Sequence, residues 1–143
     1  MNWTRLFWGG LAAGVLLNVI DFVVEGIFLA QRYQQSQSSG MFLQNPRLPF
    51  TPLWILGLLC IGWLIAWVYA SVRPRLGPGP KTAVVVGLVL GLLMHVPYNF
   101  LMACWSPVGR FFPFVWMITG ICEVILATLL AGRIYRERAP EDA

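Results

Sequence analysis

Three carboxylates and one imidazole stand inside stretches that are otherwise apolar: Asp21 and Glu25 in the run 7–30, His95 in the run 83–104, and Glu123 in the run 112–133. An ionisable side chain at the centre of a bilayer costs about 2.5–3.5 kcal/mol on the insertion scale, so such groups face a protein interior or a wet cavity and mark proton, ion or solute paths. Asn18, Asp21 and Glu25 are spaced by three and four residues, which puts them on one face of a helix. Gly10 and Gly14 carry the same stripe toward the N-terminus. A site drawn from Asn18, Asp21, Glu25, His95, Tyr98, Asn99 and Glu123 is net negative unless burial neutralises its carboxylates, and it suits a proton, a small cation or a cationic solute. Asp21 and Glu25 then form the outer entrance, with His95 and Glu123 as a charge-assisted couple at the midplane. Pro97 removes a backbone bond and frees the Leu93 carbonyl as an extra ligand or a hinge.

Packing is the competing reading. Buried polar side chains bond transmembrane helices together at about 0.6 kcal/mol each. On that view Glu25 is solvated at the interface or pairs with Arg32, and Asp21 accepts from Tyr98 or Asn99. Three ionisable groups near mid-membrane in one small bundle are more than packing alone requires.

Other chemistries find less support. The chain has no H-E-x-x-H, no G-x-S-x-G and no glycine loop that cradles phosphate, so no catalytic residue is assigned. The Gly77-Pro78-Gly79-Pro80 turn is too proline-rich to donate the backbone N–H groups a phosphate needs. His95 is the single histidine. It offers one axial bond to a haem or pigment and no bis-histidine pair, so no cofactor is expected. Cys60, Cys104 and Cys122 form no C-x-x-C and no metal-ligand spacing, so no metal is expected; Cys60 and Cys122, mid-run, read as small apolar residues of the readily buried kind.

The elements that must position these groups follow from composition. The 143 residues are 58% hydrophobic and 11% charged, against about 25% charged in soluble domains. The mean hydropathy is +0.70. Four apolar runs, 7–30, 52–72, 83–104 and 112–133, each reach the ~20 residues that cross about 30 Å of hydrocarbon as a helix. Nothing alternates as a barrel strand does. Trp3, Trp8, Trp54, Trp105 and Trp116 near run ends suit an interfacial belt. Arg5 before the first run resembles a signal peptide, but Asp21 and Glu25 fall where a cleavage site belongs, which favours a retained helix. The formal charge of +4 comes from cations outside the runs or at their ends, without the basic stripe that nucleic acid requires.

Between the runs lie a Gln/Ser-rich loop, 31–51, expected to be partly ordered over the bundle mouth, and a turn at 73–82 where Pro74, Pro78 and Pro80 deny helix continuation. A short interfacial link, 105–111, and a polar tail, 134–143, complete the chain. Arg5, Arg73, Arg75, Lys81, Arg133, Arg136 and Arg138 lie on one side and Arg32, Arg47 and Arg110 on the other. That bias places both termini in the cytoplasm and the loop 31–51 outside.

An internal repeat organises the runs. Gly87, Gly91, His95, Tyr98 and Asn99 align, 77 residues on, with Gly10, Gly14, Asn18, Asp21 and Phe22. Trp116 and Cys122 align, 62 residues on, with Trp54 and Cys60. Each half is then one outward-and-back hairpin, and parallel repeats put any binding site where the halves meet. Gly10 and Gly14 answered by Gly87 and Gly91 let the first and third spans approach at their cytoplasmic ends. Past Asn18 and His95 the spans splay, which predicts a polar cup open outward and sealed inward.

The run Trp67-Val-Tyr-Ala-Ser-Val-Arg-Pro-Arg-Leu-Gly-Pro-Gly-Pro-Lys-Thr-Ala83, with Asn18-Val-Ile-Asp21-Phe22 before it, resembles small bacterial four-helix integral membrane proteins that have no assigned activity. The resemblance implies the topology and a bacterial inner membrane, and nothing catalytic. It does not extend to the small multidrug exporters, which carry one essential glutamate in a shorter first helix, nor to the disulfide-forming quinone enzymes with their cysteine pairs.

The expectation is therefore an all-α, multi-pass four-helix bundle of two parallel-repeat hairpins. It binds or passes a proton, cation or small solute. The alternative is an accessory subunit that docks to a larger membrane complex. The lipid bilayer is the expected partner, with homodimerisation to build a pore, and nucleic acid is not.

Overall fold

The computed structural model describes residues 1–136. Arg138, one of the cations in the charge bias, lies with the rest of 137–143 outside the described residues. Among the described residues every regular element is helical. Helix α1 spans Trp3–Asp21 and runs on into a π-helical turn, Phe22–Phe28; α2 spans Ala30–Ser38, α3 Phe50–Leu76, α4 Pro80–Trp105 and α5 Phe111–Ile134. Trp3–Phe28, α3, α4 and α5 are each long and apolar enough to cross a membrane. The shortest, 24 residues, reaches about 36 Å at 1.5 Å per residue.

These spans outrun the sequence expectation at several ends. Pro74 lies inside α3, which continues to Leu76 and stops at Gly77, whose φ of +83° only glycine adopts freely. The last turn of a helix leaves carbonyls without partners. Here the Thr82 hydroxyl, from the start of α4, donates to the Gly77 carbonyl at 2.8 Å and the Leu76 carbonyl at 3.2 Å. Pro80 opens α4, where its missing N–H costs nothing. The α1 start is capped by Asn2, whose side chain accepts from the Arg5 amide at 3.2 Å. The loop 31–51 holds α2, a Gln/Ser-rich helix with no buried residue.

Helix α1 packs antiparallel along α3, and α4 antiparallel along α5. The two pairs join mainly through α1 and α5, with lesser contacts of α3 to α5 and α4. Small residues decide this arrangement, because in lipid the association of apolar helices rests on close van der Waals packing. A methyl group added at Gly14 would lie 2.7 Å from the Leu59 Cα, and one at Gly62 would strike the Gly14 backbone and lie 2.6 Å from the Gly10 carbonyl oxygen. Across the other pair, a methyl at Gly87 would lie 2.7 Å from the Ile125 Cα, and at Gly91 3.0 Å from the Ile121 Cα. The four glycines thus tighten each hairpin internally. The expected approach of Gly10 and Gly14 to Gly87 and Gly91 does not occur, because each stripe already has a backbone seated in it.

One core cluster, Ala13, Leu17, Leu58, Ile65, Ala66, Val124, Ala127 and Ala131, fills the junction of α1, α3 and α5. A second, with Leu6, Tyr69, Ala70, Ala83, Val86 and Tyr135, closes the end where α1 begins and α5 stops. Its two buried tyrosines reach backbone donors: Tyr69 accepts from Gly79 N–H and Tyr135 from Asn2 N–H, both at 3.4 Å. Cys60, Cys104 and Cys122 are all exposed. The expectation of interior cysteines fails, because the inward positions of these helices are taken by glycine, alanine and the polar groups.

Candidate functional site

At the end opposite the tyrosine cluster, the polar residues of α1 meet indole donors from two other helices. The Trp54 indole N–H, from the start of α3, donates to Asp21 Oδ2 at 2.7 Å. The Trp116 indole N–H, from the first turns of α5, donates to Glu25 Oε2 at 3.2 Å and to the Tyr33 oxygen at 3.0 Å. The Tyr33 hydroxyl in turn donates to Glu25 Oε2. Two carboxylates on one helix are therefore held by donors on α2, α3 and α5. Hydrogen bonds to charged acceptors are worth about 1.5–3 kcal/mol where water is excluded.

Local geometry explains how α1 presents them. Asp21, Glu25, Leu29 and Tyr33 are each four residues apart. In a continuous α-helix of 3.6 residues per turn that spacing drifts steadily around the axis. The π-helical turn at Phe22–Phe28 corrects the drift: the Leu29 amide bonds the Val24 carbonyl, five residues back, at 2.9 Å. The wider turn keeps Glu25, Leu29 and Tyr33 facing the bundle, and Leu29 is buried. Such π turns recur at functional sites.

Glu123 completes the cluster from α5. It is only 9% exposed, it makes no hydrogen bond to any described residue, and it lies within electrostatic reach of both Asp21 and Glu25. Asp21 and Glu25 also feel each other's charge. Among the described residues no lysine or arginine forms an ion pair with any of the three. Arg32, a candidate partner for Glu25, instead lays its guanidinium 4.0 Å from the Phe111 ring centroid.

The remaining sequence candidates fall elsewhere. Asn18 spends its amide on backbone, donating to the Gly14 carbonyl at 2.8 Å and the Ile55 carbonyl at 3.4 Å. Asn99 is buried and donates to the His95 carbonyl at 2.8 Å. Of these three bonds only Asn18 to Ile55 joins two helices; the other two return to the donor's own helix, and neither Tyr98 nor Asn99 reaches Asp21. His95 is half-buried, its ring seated on Gly120, where a side chain would fall inside the imidazole. It forms no ion pair with Glu123, so the expected couple is replaced by a ring-on-glycine contact. Tyr98 is 60% exposed on α4 and turns away from Asp21. Pro97 lies inside the continuous helix α4, and Leu93, one turn before it, is 67% exposed, on the outward face rather than at the cluster.

Sequence reasoning misses Tyr33 because it sits in a polar loop. The four-residue ladder from Asp21 is the signal that could find it. Burial first, then its bond to Glu25 and that carboxylate's charge, hold the Tyr33 phenol well above the usual tyrosine range. The interfacial-belt reading of Trp54 and Trp116 explains their rings and leaves their N–H donors unused. Among the described residues no group of three His, Cys, Asp or Glu side chains could hold a metal ion. What the arrangement offers is a set of mutually repelling acids, two of them hydrogen-bonded by protein donors and one largely buried with no hydrogen-bond partner among the described residues. The chain matches no family model, no curated protein and no solved structure.

Proposed function

We propose that this protein spans a membrane and takes up a proton at the Asp21–Glu25–Glu123 cluster, as a step in moving it between the α2 side and the bundle interior. Glu123 carries the reading. Glu123, largely buried as a residue, hydrogen-bonded to no described residue and within electrostatic reach of two further carboxylates, is costly as an anion. Binding a proton removes that cost, and releasing it restores the cost, which is what an uptake site needs. The indole and phenol donors on Asp21 and Glu25 support a division of labour. The two entrance acids have their oxygens engaged by protein donors, and the inner one is left to exchange.

The two-hairpin reading draws support from the same contacts. Trp54 and Trp116, equivalent at a spacing of 62 residues, each give an indole N–H to a carboxylate of the first span. Each pair of stripe glycines serves its own hairpin. The Lys and Arg bias favours cytoplasmic termini, with the α2 end outward; a bacterial inner membrane is what the resemblance implies. A homodimer is proposed as the assembly, since one four-helix bundle has little room for a pore of its own.

Proteoliposomes with a trapped pH dye test this. An imposed potential or ion gradient should drive uptake in the wild type, and Glu123→Gln should return it to the level of empty vesicles. Uptake unchanged by both Asp21→Asn and Glu123→Gln refutes the proposal.

A further inference from the structure

We infer that α2 is a lid over the carboxylate cluster, hinged at the π-helical turn and latched by Tyr33 donating to Glu25 while Trp116 donates to both. This rests on the cluster being the uptake site proposed above. Helix α2 is not held as the spans are: it buries no residue, and its backbone packs chiefly against the π-helical turn before it. Its hold on the bundle comes from side chains. The Tyr33 ring lies 4.8 Å from Phe112, and Phe42, just beyond α2, lies 5.4 Å from Phe112 and 6.5 Å from Trp116. Arg32 adds its stacking on Phe111.

All of these contacts fall on the first turns of α5, which also carries Glu123 two turns further in. The polar centre of the latch is one carboxylate, Glu25, which accepts from both α2 and α5. Swinging α2 away breaks the Tyr33 bonds to Glu25 and Trp116 together and would open the outer face of the carboxylate cluster. The hinge is suited to this motion. The π turn trades the regular i→i−4 ladder for a five-residue bond at Leu29, and Gly40, with φ +80°, releases the chain at the far end of α2. A polar, weakly docked helix latched by one hydrogen-bonded triangle belongs to the low-stability end of a fold, from which lids are drawn.

The test uses the full chain in detergent or vesicles and a hydrophobic carbodiimide, with mass spectrometry reading the extent of modification at Glu123. Tyr33→Phe removes the latch hydroxyl and keeps the ring. Labelling of Glu123 should accelerate roughly tenfold, the effect of losing one hydrogen bond to a charged group. Phe42→Ala, which leaves the triangle in place and loosens the aromatic seat, should move it in the same direction, and it carries the test if Tyr33→Phe fails to fold. Labelling no faster than wild type in the folded variants overturns the lid. The uptake reading fails separately, on a flux that survives Glu123→Gln, so either can fall alone.

Discussion

Two glycines of α3 should respond in opposite ways to alanine. At Gly62, deep in the α1–α3 contact, a methyl group meets backbone: the Gly14 amide and Cα, and the Gly10 carbonyl oxygen at 2.6 Å. Backbone cannot rotate aside as a side chain can, so α1 and α3 must separate along the whole contact. Overpacking of this kind costs about 1–3 kcal/mol, occasionally more, and the absence of any flexible neighbour places that cost for Gly62→Ala at about 3 kcal/mol. At Gly57, five residues earlier on α3, nothing lies within 4 Å of the added methyl. There alanine removes only the conformational freedom of glycine, a gain of about 1 kcal/mol. That gain applies at both helix-interior sites, so the two substitutions should differ by the overpacking cost of about 3 kcal/mol, roughly a hundredfold in the folding constant at 1.4 kcal/mol per decade. Unfolding of the purified protein in mixed micelles, followed by far-ultraviolet circular dichroism, measures both. Separation of α1 from α3 should also weaken the 2.7 Å Trp54–Asp21 bond, seen as a change in tryptophan fluorescence confined to Gly62→Ala. If Gly62→Ala is as well tolerated as Gly57→Ala, α1 and α3 do not pack through backbone contact and something other than the glycine stripe holds the hairpin closed.

Two further outcomes follow from the site. Trp54→Phe keeps a ring and removes the indole donor from Asp21, so unfolding in micelles should become easier by about 1 kcal/mol, below the 1.5–3 kcal/mol of a buried charged bond because Trp54 is 45% exposed; no loss would mean the bond contributes nothing. The Tyr33 pKa is raised in the folded state above the unfolded value of about 10. Its contribution to stability is therefore fully present below pH ~10 and declines only as pH rises beyond that. Between pH 9 and 11 the phenolate absorbance of wild type and Tyr33→Phe should match while the fold persists. An excess in the wild type would show that Tyr33 ionises normally and is not enclosed against Glu25.

Much of the architecture is legible in the chain. Apolar runs longer than the bilayer core, bounded by Asn2, Gly77-Pro78-Gly79-Pro80 and the link before Phe111, specify four long helices, because length, helix starts and helix stops are local properties. The stripe Gly10, Gly14, Asn18, Asp21, Glu25 is likewise a local property of helical spacing, and it correctly puts close packing at one end of α1 and carboxylates at the other.

What meets that stripe is decided by tertiary structure alone. Helical periodicity says which residues share a face and says nothing of which neighbour fills it, so the glycines can be read as pairing α1 with α4 when they seat α3 and α5. Nor does hydropathy separate inside from outside here. In a chain whose lipid-facing and core-facing residues are both apolar, Leu93 and Phe100 are exposed while Leu17 and Ile65 are buried, and no polar face marks the difference. The outward turn of Tyr98 and the exposure of all three cysteines are illegible for that reason. The π turn, which brings Tyr33 back to Glu25, is a register shift of one bond within a single helix, and only the packing of α2 against Phe112 and Trp116 selects it.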